Sequence, residues 1–373
     1  MNHSQSKIRV MHITHDLAIG GLQQVIVNIC SKINREKFEP SVLCLRESGE
    51  FVPEIEKMGI KVLKIKQTSS STDYFSFFKV AKILKQERID VIHTHNTHPL
   101  IDGTIGAHLS RVKTIIHTDH ARNFPDKKRY MFAEWVMSNF VYKIAGVSDH
   151  TSDNLIKYEH ISRKKIITIP NGIDGDKYNI SIDTDKKKES LGIKNKHPVI
   201  GLGVRLAEQK GLKYLLCAMP EIIKIFPDIA LVIAGRGDLE DSLKQEAEIM
   251  GIGQSVFFPG PRLDMPEILQ IFDLYTLPSL WEGMPMVLLE AMAAKCPIVA
   301  TDVGGNSSVI KHGFNGSLIK AMDPDSMADE IIKLLSNDVL RRQYITNSFE
   351  LFQNKFSSQI MTQMYERLYL REE

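Results

Sequence analysis

Short β-rich apolar runs alternate along this chain with longer segments whose apolar residues recur every three or four positions. The runs KIRVMHIT (7–14), FEPSVLCL (38–45), KVLKI (61–65), DVIHTH (90–95) and KTIIHT (113–118) read as strands. The stretches Gln23–Ile33 and Phe75–Glu87 between them carry helical spacing. KIITIP (165–170), followed by Asn171-Gly172-Ile173-Asp174, closes this series. A second series runs through HPVIGLGV (197–204), ALVIAG (230–235), SVFFPG (255–260), LYTLP (274–278) and PIVAT (297–301), and the tail from Asp325 onward is helical in character. Strands alternating with helices predict an α/β fold of two doubly wound, Rossmann-like parallel-sheet domains. The charged segment 183–189 (DTDKKKE) marks their junction as a solvated linker or helix start. The expected division is 1–178, 179–355, and a final helix, 356–373, returning to the first domain.

Composition narrows the class. With 373 residues, 43% hydrophobic and 25% charged, the chain suits two ordinary globular domains and excludes disordered, collagenous and disulfide-scaffold proteins. Cys30, Cys44, Cys217 and Cys296 form no CxxC pair, which points to reduced thiols. The N-terminal segment lacks the apolar core of a signal peptide, and no run of 18 uncharged apolar residues occurs. The expectation is therefore a cytoplasmic protein. A formal net charge of +2 conceals a net +8 over residues 1–170 and −6 over the rest. A basic first half fits an anionic partner such as a lipid head group, a lipid diphosphate or nucleic acid, or else scattered solvated lysines.

Four segments at strand ends carry candidate chemistry. Gly20-Gly21 precedes a helix, where backbone N–H groups and the helix dipole suit a phosphate, although a simple turn explains two glycines as well. Gly201-x-Gly203 lacks the third glycine of a dinucleotide fingerprint, and no P-loop occurs. Arg205 and Lys210 come next, five residues apart before Gly211, a pair able to clamp a diphosphate. In Glu282-Gly283-Met284-Pro285-Met286, Pro285 reads as the first helical residue, Met286–Ala294 as a buried helix, and Glu290 as a carboxylate two turns in. Two acceptors seven residues apart suit a polyhydroxyl ligand such as a ribose and a hexose; a structural salt bridge at Glu290 is the alternative. Finally, His93, His95, His98, His117 and His120 crowd two strand ends. Without HExxH or an adjacent carboxylate trio, no metal is expected there. Alternation sets His93 and His95 on one face opposite Thr94, and His120 is the best placed to touch substrate.

In this order the segments resemble the family 4 retaining glycosyltransferases of GT-B fold, across essentially the whole chain. EGMPMVLLEAMAAKCPIVATDVGG (282–305) is similar to the Glu-x7-Glu signature, and NGID (171–174) and the Arg205–Gly211 loop also match. The resemblance implies an acceptor-binding first domain and a nucleotide-sugar-binding second domain facing a central cleft. It gives Arg205 and Lys210 to the donor diphosphate, Glu290 to the ribose hydroxyls, and Glu282 with the N–H groups of Gly283 to Met286 to the donor sugar. Gly203 lines the donor site with Gly20, Gly21 lends its N–H to the diphosphate, and His120 contacts the transferred sugar. Together His120, Arg205, Lys210 and Glu282 make the expected catalytic set, with no metal and no cofactor beyond the nucleotide-sugar substrate.

The implied reaction moves a sugar, from a UDP-sugar more readily than a GDP-sugar, to a glycan or lipid-diphosphate acceptor in surface polysaccharide synthesis. Attack is from the front face, with the departing phosphate oxygen taking the acceptor proton. The basic half would then meet the inner membrane face, with Lys127-Lys128-Arg129 beside Tyr130, Phe132 and Trp135 as a contact, and nucleic acid is not a partner. A buried helix accounts for those aromatics equally well. Three positions depart from the family pattern: Gln23, the Asn306-Ser307-Ser308 run, and Lys295 where glycine is common. An epimerase or hydrolase on the same fold, or a non-catalytic nucleotide-sugar sensor, are the competing readings.

Overall fold

A computed structural model describes residues 7–65, 75–120 and 124–372. The chain divides into two compact units, residues 1–172 with 358–373, and residues 173–357. The division falls after Gly172 and again after Ser357, not after residues 178 and 355 as the sequence suggested. Segment 183–189 is accordingly not the junction. It opens a helix, Thr184–Ser190, capped by Asp183, whose carboxylate accepts from Lys186 N at 3.0 Å. Its Lys187 is held by Asp264 and Glu267, so the lysine triplet includes one anchored member.

The first unit is built on strands β1 (Ile8–Thr14), β2 (Phe38–Cys44), β3 (Lys61–Lys64), β4 (Val91–His95), β5 (Thr114–Asp119), β6 (Lys143–Gly146) and β7 (Ile166–Thr168). They lie in the order β3-β2-β1-β4-β5-β6-β7, every pair parallel. Alternation divides each strand between two covered faces. Met11 and Ile13 enter one apolar cluster with Ile92, Leu100 and Ile115. Val42 and Cys44 enter another with Ile26 and Val27 of the helix Gly21–Lys32. The C-terminal helix, Ser358–Leu370, belongs to this unit and buries Tyr365 and Tyr369.

The second unit contains β8 (Val199–Gly203), β9 (Ala230–Ala234), β10 (Val256–Phe257), β11 (Leu274–Leu277), β12 (Ile298–Thr301) and β13 (Ser317–Ile319). Their order is β10-β9-β8-β11-β12-β13, again all parallel. β6 and β13 were not anticipated from sequence: each is only three or four residues long and lacks the apolar run that marked the others. In each sheet the order reverses once, between β1 and β4 and between β8 and β11. Such a switch point leaves a crevice beyond the strand carboxyl ends, where doubly wound sheets take ligands. The candidate residues gather at these two places.

Candidate active site

Beyond the switch point of the second unit, two loops are laced together. Leu280 N donates to Gln209 O at 2.7 Å, and Gln209 Nε2 donates to Trp281 O at 3.0 Å. Gly211 has φ +60°, and a Cβ there would run into Pro278 O, so only glycine lets the β8 loop lie against the β11 loop. This lacing brings Lys210 against Glu282, whose Nζ and Oε1 form an ion pair. The pair is desolvated, with the Lys210 side chain 16% and that of Glu282 6% exposed. Ser279 Oγ donates to the same carboxylate oxygen at 2.6 Å, and Thr301 Oγ1 ties Ser279 O at 2.6 Å. An ammonium has three protons, so Lys210 retains two for a further acceptor.

Arg205, on the same loop, is exposed and takes part in no ion pair among the described residues. Leu206 N donates to Arg236 O at 3.0 Å, which draws the loop after β9 alongside and brings in a second exposed cation, Arg236. Arg236 is not distinguishable in the sequence, since a single Arg between Gly235 and Gly237 carries no spacing signal.

Gly304 and Gly305 close the other side. Gly304 has φ +50°, a Cβ on it would overlap Glu282 O, and Gly305 N donates to that same carbonyl at 3.0 Å. Glu282 is thus fixed through both backbone and side chain. The next helix runs Met286–Ala293, and Pro285 is its N-cap with ψ 117°, not its first helical residue. With no side chain capping it, this apolar helix begins where the β11 loop ends. Its far end turns at Lys295, φ +57°, a left-handed position that explains why glycine is common there.

Glu290 lies on that helix beside Tyr178 and Tyr275. Burial pushes its carboxyl above the usual carboxylate range, and a hydrogen bond with the Tyr178 hydroxyl opposes the shift. Burial, with Glu290 nearby, also pushes both phenols up, so they stay protonated. Gly203 N donates to the Tyr275 hydroxyl at 3.4 Å, so its N–H already has a protein partner, which weakens the donor contact expected of Gly203. Neither tyrosine was singled out from sequence. Lys210, Glu282 and the Arg205 loop therefore form one cluster, and Glu290 with Gly203 meets it through Tyr275, whose phenol also feels Glu282.

In the first unit, Gly20 is the N-cap and Gly21 the first residue of the helix Gly21–Lys32, again without a side-chain cap. Asp16 gathers the turn before it, accepting from Ala18 N at 3.0 Å and Gln23 Nε2 at 2.8 Å, which gives Gln23 a structural task at its family-variant position. His93, His95 and His120 come together, joined by His12, which the sequence reading missed. The register pairing β1 with β4 sets His12 beside His93, and an isolated histidine within an apolar strand was the one available signal. His93 is held by the Tyr369 hydroxyl at 2.8 Å and by Thr118 Oγ1 at 2.7 Å. His117 points to the opposite face, against Thr94 Oγ1 at 2.9 Å, and His98 lies on the helix Thr97–Ser110 beside His15. Burial drives His12 and His120 down to about 3 and His93 and His95 well below the usual range, so all four are neutral imidazoles.

Neutral imidazole is the form that binds metals, and His12, His93 and His95 could all reach one ion. Five of their six ring nitrogens, however, already have protein partners, His12 Nε2 being the exception. The fit to a metal is therefore poor.

The helix Lys128–Ser138 departs from the buried-helix alternative. Lys128, Phe132, Trp135 and Asn139 form one exposed stripe, with Phe132 64% and Trp135 44% accessible and their rings 5.8 Å apart. Among the described residues no helix is long and apolar enough to cross a membrane.

Residues 19–177 match the family described as glycosyltransferase family 4, and residues 183–351 match glycosyl transferases group 1. The chain is 30% identical over 370 residues to the UDP-Gal:alpha-D-GlcNAc-diphosphoundecaprenol alpha-1,3-galactosyltransferase of Escherichia coli, spanning 94% of this chain and 95% of that one. An uncharacterized glycosyltransferase of Methanocaldococcus jannaschii is 28% identical over 91% of both. Among solved structures, Anabaena HepE in complex with UDP and glucose superposes with a TM-score of 0.87 at 20% identity, covering 98% of this chain and 100% of its own. Two parallel-sheet units with reversed strand order, the Glu282–Glu290 spacing on the β11 loop and helix, and a match running nearly end to end converge on one conclusion: this chain belongs to the family 4 glycosyltransferases of GT-B fold.

Proposed function

We propose that the protein is a retaining, metal-independent transferase that moves a sugar from a UDP-sugar to a lipid-diphosphate-linked glycan in surface polysaccharide synthesis. The observation that carries this reading is the Lys210–Glu282 pair, held by Ser279 at the switch point of the second unit, on the loop that also carries Arg205, which forms no ion pair among the described residues. Two cations and the start of an apolar helix would oppose the negative charge that builds on a departing diphosphate. They supply what a divalent ion otherwise would. Glu290 would accept from the ribose hydroxyls, and Glu282, with the N–H groups of Gly283 to Met286, would orient the transferred sugar. Gly20, Gly21 and His120 keep the roles that the family pattern implies, toward the diphosphate and the sugar. UDP is favoured because the E. coli relative and the HepE complex both carry it in their names.

The acceptor class and a membrane location are supported together. The E. coli relative is named for a diphosphoundecaprenol acceptor, and the exposed Phe132–Trp135 stripe begins at Lys127-Lys128-Arg129. Aromatics led by cations suit an interface with anionic lipid.

The test is incubation of the purified protein with UDP-galactose, then other UDP- and GDP-sugars, and a lipid-diphosphate N-acetylglucosamine, with EDTA present. An α-linked product from an α-linked donor supports the proposal. Free sugar or epimerised donor alone would replace it with a hydrolase or epimerase, and binding without turnover with a sensor.

A further inference from the structure

We infer that His12 and His95 lock His120 in the tautomer that carries its proton on Nδ1, so that His120 meets a substrate oxygen as a hydrogen-bond donor and never as a proton acceptor. The inference rests on the reading of His120 as a sugar contact.

Three imidazoles are strung across β1, β4 and the end of β5. His12 Nδ1 lies 3.1 Å from His95 Nε2, and His95 Nδ1 lies 3.1 Å from His120 Nε2. The neighbouring His93 is not part of this string, since hydroxyls occupy both its nitrogens. A neutral imidazole has one N–H and one lone pair, so two successive N···N bonds admit only two proton arrangements. Either every bond donates toward His120 or every bond donates away from it. A mixed arrangement requires His95 as an imidazolium, donating both bonds, or as an imidazolate, accepting both, and burial disfavours either charged ring.

His12 Nε2 decides between the two. It is buried and has no partner among the described residues. If the string donates away from His120, that atom carries a buried N–H with no acceptor. If it donates toward His120, the atom carries only a lone pair. Orphaned buried donors are the rarer fault, because each forfeits a whole hydrogen bond to water. The string therefore runs His12 Nδ1–H to His95 Nε2, then His95 Nδ1–H to His120 Nε2. His120 is left with its proton on Nδ1, a nitrogen for which the described residues offer no partner, on a side chain that keeps 7% exposure. With Nε2 occupied and Nδ1 protonated, the ring has no lone pair to receive the acceptor's proton. It can only donate to an oxygen such as a sugar hydroxyl.

Two-bond 1H–15N correlation on protein labelled at histidine tests this directly, with the His120→Gln spectrum assigning the ring. The expected result is Nδ1 protonated and Nε2 bare in the unaltered protein at neutral pH; the reverse tautomer would overturn the inference. His95→Leu should release His120 to the Nε2–H form common in water and lower kcat roughly tenfold with little change in donor KM. His95→Asn retains an amide donor near the position of Nδ1, and should keep the tautomer and recover most of kcat. An unchanged His120 tautomer in folded His95→Leu also contradicts the lock. A tautomer that responds as described while turnover stays constant supports the lock and removes His120 from the sugar, so the two readings fail separately.

Discussion

Lys210 and Glu282 are 72 residues apart in sequence and share one desolvated ion pair, with Ser279 donating to the same oxygen at 2.6 Å. The carboxylate holds the ammonium at the strand ends without consuming it. Replacing Lys210 with Ala removes the charge that would face a departing diphosphate and strands Glu282 with only Ser279. Turnover should fall by about 10²–10³-fold with a smaller change in donor KM. Steady-state kinetics measure both, and undiminished kcat would take Lys210 out of the mechanism.

Glu290 is a desolvated carboxylate beside the Tyr178 hydroxyl. Its pKa is raised by burial, so between the ordinary glutamate value and the raised one the folded state holds a proton that the unfolded state has lost, and stability falls as pH rises through that window. Glu290→Gln should therefore melt higher than the parent at neutral pH while binding UDP roughly tenfold more weakly, one charge-assisted hydrogen bond to ribose having been lost. Calorimetric titration alongside thermal melts decides it. Equal UDP affinity would leave Glu290 as a structural partner of Tyr178.

Gly304 has no room for a side chain, since a Cβ would overlap the Glu282 carbonyl at a φ of +50°. Gly304→Ala should cost about 2–4 kcal/mol or displace the β11 loop, and in either case weaken UDP binding. Denaturant unfolding and a UDP titration read the two effects.

Asp264 ties the opening helix of the second unit to the β10 loop. Arg262 grips it with two hydrogen bonds, of 2.7 and 2.6 Å, and Lys187 adds another at 2.8 Å. These contacts, led by Arg262, hold its carboxyl far below the usual range. A depressed folded-state pKa contributes stability above the unfolded value, and that contribution is lost as pH falls below it. Asp264→Asn should lose about 1–3 kcal/mol at neutral pH, and the difference should shrink once pH drops below about 4. Unfolding curves at the two pH values check the sign.

Phe132 and Trp135 lie exposed on the same helix stripe as Lys128. Phe132→Ser with Trp135→Ser should reduce sedimentation with phosphatidylglycerol vesicles by roughly tenfold and leave UDP affinity unchanged. Binding to neutral vesicles as strong as to anionic ones would argue against the role of Lys127, Lys128 and Arg129.

Much of the second unit's candidate site was legible because its residues are tied to local patterns. Gly211 must follow a loop that approaches another backbone, and Glu290 must sit two turns beyond Glu282 on an apolar helix. The supporting partners were not legible in the same way. Ser279, Thr301 and Tyr178 are common residue types whose meaning comes only from what they touch. His12 was hidden for a related reason: nothing local to β1 says that its neighbour is β4 and not another strand.

The sequence by itself determined the class of the fold and the chemical inventory, because periodicity and Gly, Pro and charge spacing act over a few residues. Only the tertiary structure decided which strands adjoin, hence that Lys210 meets Glu282 and that His12, His95 and His120 form one string. It also decided which way Phe132 and Trp135 face. Those outcomes depend on pairing across dozens of residues, where hydrogen-bond register and burial select one arrangement from many that local propensity allows equally.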